Sequence, residues 1–235
     1  MEAMVKVSAG KMRTASLLLF SGLLILTYSV VSHHAEADKL VALTFDDGPD
    51  PRWTPLVLEA LKQYKVRATF FIIGKQAELY PELVKRIYSE GHELGNHTYS
   101  HPKHMQKESF EELRKEIERC NEVIERITGV RPKLFRPPMG LLNYLIHTAA
   151  QVEGLTVVYW TVSADHHDAP TPQAMVERVM RLIHPFAIIL MHDGRTKERW
   201  KDVKALPMII EGLKKRGYQF VTVSELLHTT GALSY

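Results

Sequence analysis

Five side chains in this sequence are of types that bind metal ions or transfer protons, and each follows a short apolar run. They are Asp46, Asp47, His97, His101 and His192. Two His four residues apart share a face of a helical turn, and two His with one carboxylate leave coordination positions on a metal ion open. A bound metal activates water, a carboxylate accepts the water's proton and a His protonates a leaving amine. The set therefore suits hydrolysis of an amide or ester.

Taken singly, these signals have ordinary structural explanations. The Asp-Asp-Gly-Pro segment at 46–49 is typical of a turn, Pro102 after His101 favours a loop, and His192 could be a simple loop residue. Arg136, which precedes a Pro-rich turn, could orient a carboxylate through a bidentate bond or be structural. Four independent accidents at successive strand ends are improbable, so their shared position favours a functional site.

The elements that must position these residues alternate short apolar runs with helical patterns, which indicates a single βα-type domain. Seven runs are predicted strands: 40–45, 68–73, 92–94, 133–135, 156–160, 187–191 and 219–223. The continuous apolar runs favour a parallel sheet covered by helices on both faces. A distorted TIM-like (β/α) barrel of about seven parallel strands, or an open doubly wound sheet, fits this pattern. Either fold places its active site at the carboxyl ends of the strands.

Three helices have recognisable signatures. Thr54-Pro55 and Thr171-Pro172 each predict a capping hydroxyl before a Pro at the first helical position. The segment 109–128 predicts a helix with one buried stripe and one charged, solvated face. The stripe consists of Phe110, Leu113, Ile117, Cys120, Ile124 and Ile127.

The first 37 residues differ from the rest. Three basic residues precede an apolar run at 15–31, and Ala35-Glu36-Ala37 follows it with the small-residue spacing of a cleavage site. This pattern predicts a signal peptide or an N-terminal membrane anchor, since the run is close to the lower limit for spanning a bilayer. The catalytic domain is therefore expected at 38–235, secreted or anchored to the outer face of the cytoplasmic membrane.

The composition excludes several classes of protein. The chain has 235 residues, 45% hydrophobic and 24% charged, which is typical of a globular protein. Its net charge of +3 is spread along the chain without a basic stripe, so no nucleic-acid partner is expected. A single cysteine, Cys120, excludes an intrachain disulfide and is interpreted as packing. Nothing in the sequence indicates an oligomeric state.

Four segments together resemble the polysaccharide deacetylase family (the NodB homology domain, carbohydrate esterase family 4), over roughly 40–227. They are Thr44-Phe45-Asp46-Asp47-Gly48-Pro49, His97-x-x-x-His101, Arg136-Pro137-Pro138 and His192-Asp193. The resemblance implies Asp46 as general base, Arg136 as the group that orients it and His192 as general acid. It also implies Asp47, His97 and His101 as ligands of a divalent metal. Zn²⁺ is expected, with Co²⁺, Ni²⁺ or Fe²⁺ as alternatives because this donor set accommodates each.

Two positions depart from the family pattern. Met139, after Pro138, stands where the family usually has an aromatic residue that binds the oxyanion and substrate; the donor is a backbone N–H, so the function survives the change. The family also has an Asp-Trp pair whose Asp supports the catalytic His. Counting from Trp160, His166 and His167 occupy those positions. Asp165, Asp168 or His166 could then support His192.

The function that the resemblance implies is removal of N-acetyl groups, with release of acetate, from a cell-envelope polysaccharide. The expected partner is peptidoglycan or a related N-acetylglucosamine polymer. Two alternatives stay open: an O-acetyl esterase acting on xylan-like polymers, which uses the same machinery, and a carbohydrate-binding relative whose turnover is weakened by the altered fourth motif.

Overall fold

The strand that leads to the paired carboxylates, β1 (Leu40–Asp46), forms the middle of a parallel sheet. The computed structural model describes residues 39–141 and 143–232, so the predicted leader at 1–37 lies outside the described residues. β1 is buried from its second residue to its last. It pairs on one side with β7 (Ala187–His192), and on the other with β8 (Gln219–Val221) and then β2 (Thr69–Ile72). A strand buried on both faces is mostly apolar, as residues 40–43 and Phe45 are, and the last residue of β1 is Asp46, which carries a carboxylate.

Eight strands, all parallel, occur in the described part of the chain: β1 (Leu40–Asp46), β2 (Thr69–Ile72), β3 (Glu93–Asn96), β4 (Leu134–Phe135), β5 (Thr156–Val157), β6 (Val162–Ser163), β7 (Ala187–His192) and β8 (Gln219–Val221). Their order is β5-β4-β3-β2-β1-β7-β6, with β8 beside β1.

The sheet closes into a distorted barrel through the segment that contains β5 and β6. Val158 N donates to Phe135 O at 2.8 Å, which continues the pairing with β4. Thr161 N then donates to Ile188 O at 3.0 Å, which begins the pairing with β7. The segment 156–163 thus pairs first with β4 and then with β7. The barrel is the observed fold, and the open sheet is not.

The strand prediction missed β6, because Val162–Ser163 has two residues, one of them polar and half buried. It also extended the fifth strand too far, to residue 160, whereas β5 ends at Val157. The other six predicted strands match observed strands to within two residues at each end.

The described helices are α1 (Thr54–Tyr64), α2 (Gly74–Leu79), α3 (Pro81–Ser89), α4 (Phe110–Thr128), α5 (Tyr144–Val152), α6 (Pro172–Leu182), α7 (Trp200–Lys215) and α8 (Val223–Thr229). Short 3₁₀ turns occur at Met105–Lys107, Pro138–Gly140 and Lys197–Arg199. No helix of the described residues is long and apolar enough to cross a membrane.

Of the two predicted caps, one is observed and one is wrong. The Thr171 hydroxyl accepts from Ala174 N at 3.1 Å at the start of α6. Thr54 instead lies inside α1, whose N-cap is Trp53. Its hydroxyl accepts from Asp50 N and donates to Asp193 at 2.5 Å, so it supports the turn after β1.

Helix α4 has the predicted buried stripe. Leu113, Ile117, Cys120 and Ile124 are buried, whereas Phe110 and Ile127 are partly buried. The Cys120 thiol donates to Ile72 O, and burial raises its pKa to about 12. This thiol is therefore unreactive, as the packing interpretation requires.

Candidate active site

The structure brings the chemically interesting side chains to one end of the barrel. Asp46 and His192 are the last residues of β1 and β7, and they lie side by side in the parallel register. His97 directly follows β3, and Arg136 directly follows β4. Because parallel strands project their carboxyl ends to one rim, residues distant in sequence meet there.

Asp47, His97 and His101 form a compact, buried group of potential metal ligands. One ligand atom from each lies within 4.8 Å of the others. The Nε2 atoms of His101 and His97 are 3.3 Å and 3.7 Å from Asp47 Oδ1. Two imidazoles and a carboxylate are a donor set that Zn²⁺ accepts.

A backbone contact holds His97 in the tautomer that binds metal. Nδ1 of His97 lies 2.6 Å from the backbone oxygen of Arg136. If Nδ1 carries the proton it donates to that carbonyl, which leaves the Nε2 lone pair facing Asp47. Burial lowers the pKa of His97 to about 3 and also lowers the pKa of His101, so both rings are neutral at pH 7.

Asp47 supplies the test of whether a cation fits this group. Its Oδ1 is buried and has no hydrogen-bond partner among the described residues. A buried carboxylate oxygen without a partner is costly, and a cation at this position removes that cost. Asp47 and His101 also have left-handed backbones, with φ of 77° and 56°. Such conformations in non-glycine residues are concentrated at functional sites. The residues fit a divalent metal.

The turn that carries Asp46 and Asp47 packs against Asp193. The Asp193 backbone N donates to Asp46 O at 3.1 Å. A Cβ on Gly48 would overlap the Asp193 carboxylate, so only glycine allows this approach. Burial raises the pKa of Asp193 to about 7. Asp193 thus supports the turn, a role that the sequence analysis did not assign.

Arg136 is fully buried and holds Asp46 in place. Its Nη1 donates to Asp46 Oδ1 and to Thr44 Oγ1, both at 2.8 Å. The remaining nitrogens donate to the backbone oxygens of Val158 and Tyr159. One guanidinium nitrogen therefore contacts Asp46, and the bidentate pairing considered from the sequence is not observed.

Replacing Arg136 by Leu is expected to lower the free energy of unfolding by about 3–5 kcal/mol, because the buried Asp46 carboxylate loses its counter-ion. Chemical denaturation of the metal-free protein measures this loss. Adding Asp46→Asn to Arg136→Leu should restore part of the stability, since no uncompensated charge then remains. The control is Arg181→Leu, which removes an exposed guanidinium 4.0 Å from Asp168 and should change stability by less than about 1 kcal/mol. An equal loss in the control would contradict the assignment.

Of the three candidate partners of His192, Asp165 is the one that lies beside it. Nδ1 of His192 lies 2.8 Å from Asp165 Oδ2. Burial lowers the pKa of His192, but the short contact with the Asp165 carboxylate and its negative charge outweigh burial, and the pKa is raised. His166 instead lies 2.9 Å from Asp168 and is partly exposed. Asp165 is the neighbour of His192, and neither His166 nor Asp168 is.

A second layer of charged groups around His192 was missed. Arg199 Nη1 donates to Asp165 Oδ2 at 2.7 Å, and Asp202 Oδ1 accepts from His192 N at 3.1 Å. Another guanidinium, that of Arg195, contacts His101. Arg195, Arg199 and Asp202 all lie within ten positions of the end of β7, and this closeness in sequence is the signal that could have indicated them. The sequence does not distinguish such residues from a solvated helix face.

The turn after Arg136 places main chain and an exposed side chain at the same rim. Pro138 is buried and Met139 is 57% exposed. Met139 has a φ of 56° and Gly140 a φ of 64°. A Cβ on Gly140 would lie 2.6 Å from the Trp160 ring, so the turn is tightly packed on one side.

The sequence of this chain is similar to those of known polysaccharide deacetylases. The profile of the family described as Polysaccharide deacetylase matches residues 33–158. Peptidoglycan-N-acetylglucosamine deacetylase of Bacillus cereus is 43% identical over 192 residues, which are 81% of this chain and 89% of that protein. Peptidoglycan-N-acetylmuramic acid deacetylase PdaC of Bacillus subtilis is 40% identical over 80% of this chain and 38% of that protein.

Solved structures show the same fold. That of PdaC has a TM-score of 0.75 and 37% identity, and the match covers 84% of this chain and 94% of that chain. A carbohydrate esterase family 4 pseudoenzyme from Bacillus anthracis has a TM-score of 0.74 and 34% identity, over 81% of this chain and 66% of that chain. The profile match, the sequence relatives and the shared fold together establish that this chain belongs to the polysaccharide deacetylase family.

Proposed function

We propose that this protein is a metal-dependent N-deacetylase that removes acetyl groups from peptidoglycan and releases acetate. The observation that carries the proposal is the buried group of Asp47, His97 and His101 at the same rim as the Asp46–Arg136 and His192–Asp165 pairs. Together these groups supply candidate metal ligands, a candidate general base and a candidate general acid. The named activities of the Bacillus relatives support peptidoglycan as the substrate.

The proposed metal ligands are Asp47, His97 and His101, and the proposed ion is Zn²⁺, with Co²⁺, Ni²⁺ or Fe²⁺ as alternatives. When bound, the ion activates water and polarises the acetyl carbonyl. The chain orients the ligands through the contact between His97 Nδ1 and Arg136 O, and through the strained backbone at Asp47 and His101. These contacts hold the donor atoms close together before an ion binds.

Asp46 is the proposed general base and His192 the proposed general acid. The Asp46 carboxylate is 3% exposed, and Arg136 fixes one of its oxygens. The other oxygen, Oδ2, lies 3.8 Å from His97 Nε2 and is free to accept a proton at the site. His192 is the proposed source of the proton for the departing amine, and the Asp165 carboxylate beside it raises the pKa of His192, which favours the protonated imidazole. The groups that accept and donate the proton thus stand on neighbouring strands.

Stabilisation of the oxyanion is assigned to the turn at Pro138 and Met139. The proposed donor is the Met139 backbone N–H, which the left-handed conformation of the turn fixes in place. A backbone donor does not depend on the side chain, so the replacement of an aromatic residue by Met leaves this part of the mechanism intact.

Replacing Asp165 by Asn is expected to lower kcat by about 100-fold, the lower end of what general acids contribute. The Asp165 charge raises the pKa of His192, so its removal lowers that pKa. Protonated His192 is then lost at a lower pH, and the alkaline limb of the kcat profile shifts toward lower pH. The matched control is His166→Ala, which should change kcat by less than about twofold. An unshifted alkaline limb in Asp165→Asn would contradict the role of this pair.

The alternatives make different predictions. An O-acetyl esterase releases acetate from acetylated xylan in preference to peptidoglycan, and a binding protein binds the glycan without releasing acetate. The pseudoenzyme relative shows that loss of turnover occurs in this family. In this chain Asp165 supplies a carboxylate partner for His192 despite the altered fourth motif, which supports the enzyme.

Acetate release by the full chain with added Zn²⁺ or Co²⁺ tests the proposal on peptidoglycan, chitin oligomers and acetylated xylan. Peptidoglycan is expected to be the preferred substrate. Absence of release from all three by protein with metal bound would refute the enzyme, and release from xylan alone would favour the esterase.

The substrate supports a location outside the cytoplasm, because peptidoglycan lies outside the cytoplasmic membrane. The leader at 1–37, as a cleaved signal or as a retained anchor, is the proposed means of export. Fractionation followed by N-terminal sequencing of the mature protein distinguishes the two forms.

A further inference from the structure

Arg195 is a charged residue at the rim to which the proposed mechanism gives no role. It follows His192-Asp193-Gly194, and its backbone has a φ of 67°. Its side chain is about a third exposed, at 35%. The preceding Gly194 packs so closely on the Asp47 backbone that any Cβ there would overlap the Asp47 carbonyl. The position of Arg195 is therefore set by the same turn that carries a proposed metal ligand.

The guanidinium of Arg195 lies against two of the three proposed ligands. Its Nη1 is 2.7 Å from Nδ1 and 2.9 Å from Nε2 of His101. The same atom is 3.6 Å from Asp47 Oδ1. Arginine has only donor groups and stays charged at all relevant pH values. The guanidinium therefore places its positive charge beside Asp47 and donates to the single nitrogen lone pair of the neutral His101 ring, which a metal ion would need.

A second arginine adds to this positive charge. Arg199 Nη2 lies 3.8 Å from Asp47 Oδ2, so one guanidinium stands beside each oxygen of this carboxylate. Arg199 also donates a hydrogen bond to Asp165 through Nη1. The hydrogen bonds of Arg195 to described residues all go to His101. The three proposed metal ligands, Asp47, His97 and His101, are called the metal triad. Within the described part of the chain, Arg195 makes its hydrogen bonds only to a member of this triad, whereas Arg199 also pairs with Asp165.

We propose that Arg195 is a tuning residue that competes electrostatically with the metal ion for His101 and Asp47 and weakens metal binding. The inference rests on the proposed metal triad. A lone pair that accepts from Arg195 is not available to a metal, and a guanidinium beside the triad repels a divalent cation. The triad alone would bind the ion more tightly than this chain does.

Metal affinity of the full chain, measured by titration of Co²⁺ or Zn²⁺ against a competing chelator, tests this proposal without any activity assay. Arg195→Asn removes the charge while keeping a residue that tolerates the left-handed backbone. It is expected to bind metal more tightly, on the order of tenfold. Arg195→Lys keeps the charge and should stay within about threefold of the wild type.

The dependence of metal affinity on salt distinguishes an electrostatic effect of Arg195 from a steric one. Because Arg195 is partly exposed, its repulsion is screened by salt, so the ratio between the affinities of Arg195→Asn and wild type should fall as salt rises from about 0.02 M to about 0.5 M. Three results would overturn the inference. Arg195→Asn could bind metal no more tightly than the wild type, or the ratio of the two affinities could be independent of salt. Arg195→Lys could also bind metal as tightly as Arg195→Asn does.

The outcomes distinguish this inference from the proposed function. If the wild type and His101→Ala bind metal equally, the proposed triad is wrong. If binding depends on His101 and Arg195→Asn has no effect, the triad stands and only the role of Arg195 is refuted.

Discussion

Replacing Asp46 by Asn is expected to reduce acetate release by about 10²–10⁴-fold, the range that a general base contributes, while metal binding stays intact. The Asn side chain keeps an oxygen that accepts from Arg136, so the geometry at Oδ1 is retained. The amide does not accept the proton of water. Steady-state kinetics with metal content measured on the same sample checks both parts.

The matched control for Asp46→Asn is Asp50→Asn in the same turn region. The Asp50 carboxylate accepts from the backbone N of Arg52 and Trp53, and an amide oxygen can do the same. This variant should retain activity within about twofold. Full activity in Asp46→Asn would remove this carboxylate from the mechanism.

Replacing His97 by Ala is expected to abolish acetate release, because the proposed metal site loses one of its three proposed ligands. Metal affinity should fall by more than about 100-fold, since even loss of a group that only orients a ligand costs about 10–100-fold. Metal analysis after dialysis and titration of the variant measure this loss. High metal concentration should restore little activity, because the remaining two ligands leave the ion poorly held.

An exposed imidazole on the same stretch of chain provides the control for His97→Ala. His104 lies at the start of the 3₁₀ turn Met105–Lys107 and is exposed. His104→Ala should leave metal affinity and turnover within about twofold of the wild type. Undiminished metal binding by His97→Ala would contradict the proposed ligand set.

Sequence patterns predicted the fold because the chain repeats one local signal, an apolar strand followed by an amphipathic helix. Burial on both faces makes β1 and β7 mostly apolar before their last residues, and that pattern is recognisable from the sequence alone. The closure of the barrel was not predictable in detail. β6 has two residues and its pairing with β7 depends on backbone hydrogen bonds rather than on side-chain type.

The rim residues were predictable because strand ends in a parallel barrel converge. The partner of His192 could not be chosen from the sequence among Asp165, Asp168 and His166. Adjacent residues in a loop point in different directions, and counting positions from Trp160 does not show which side chain faces His192. The structure places Asp165 at 2.8 Å from His192 and turns His166 toward Asp168. The contacts of Arg195 and Arg199 with Asp47 could not be predicted for a related reason. Charged side chains near a helix start are usually solvated, and only the fold shows which of them reach Asp47.

The most direct test of the account is to measure acetate and free amines together when metal-loaded wild-type protein acts on peptidoglycan. An N-deacetylase produces one new amine on the glycan for each acetate released, and both signals disappear when a chelator removes the metal and return when it is added back. The account predicts this one-to-one ratio. Acetate without a matching amine, or neither product from protein with metal bound, would contradict it.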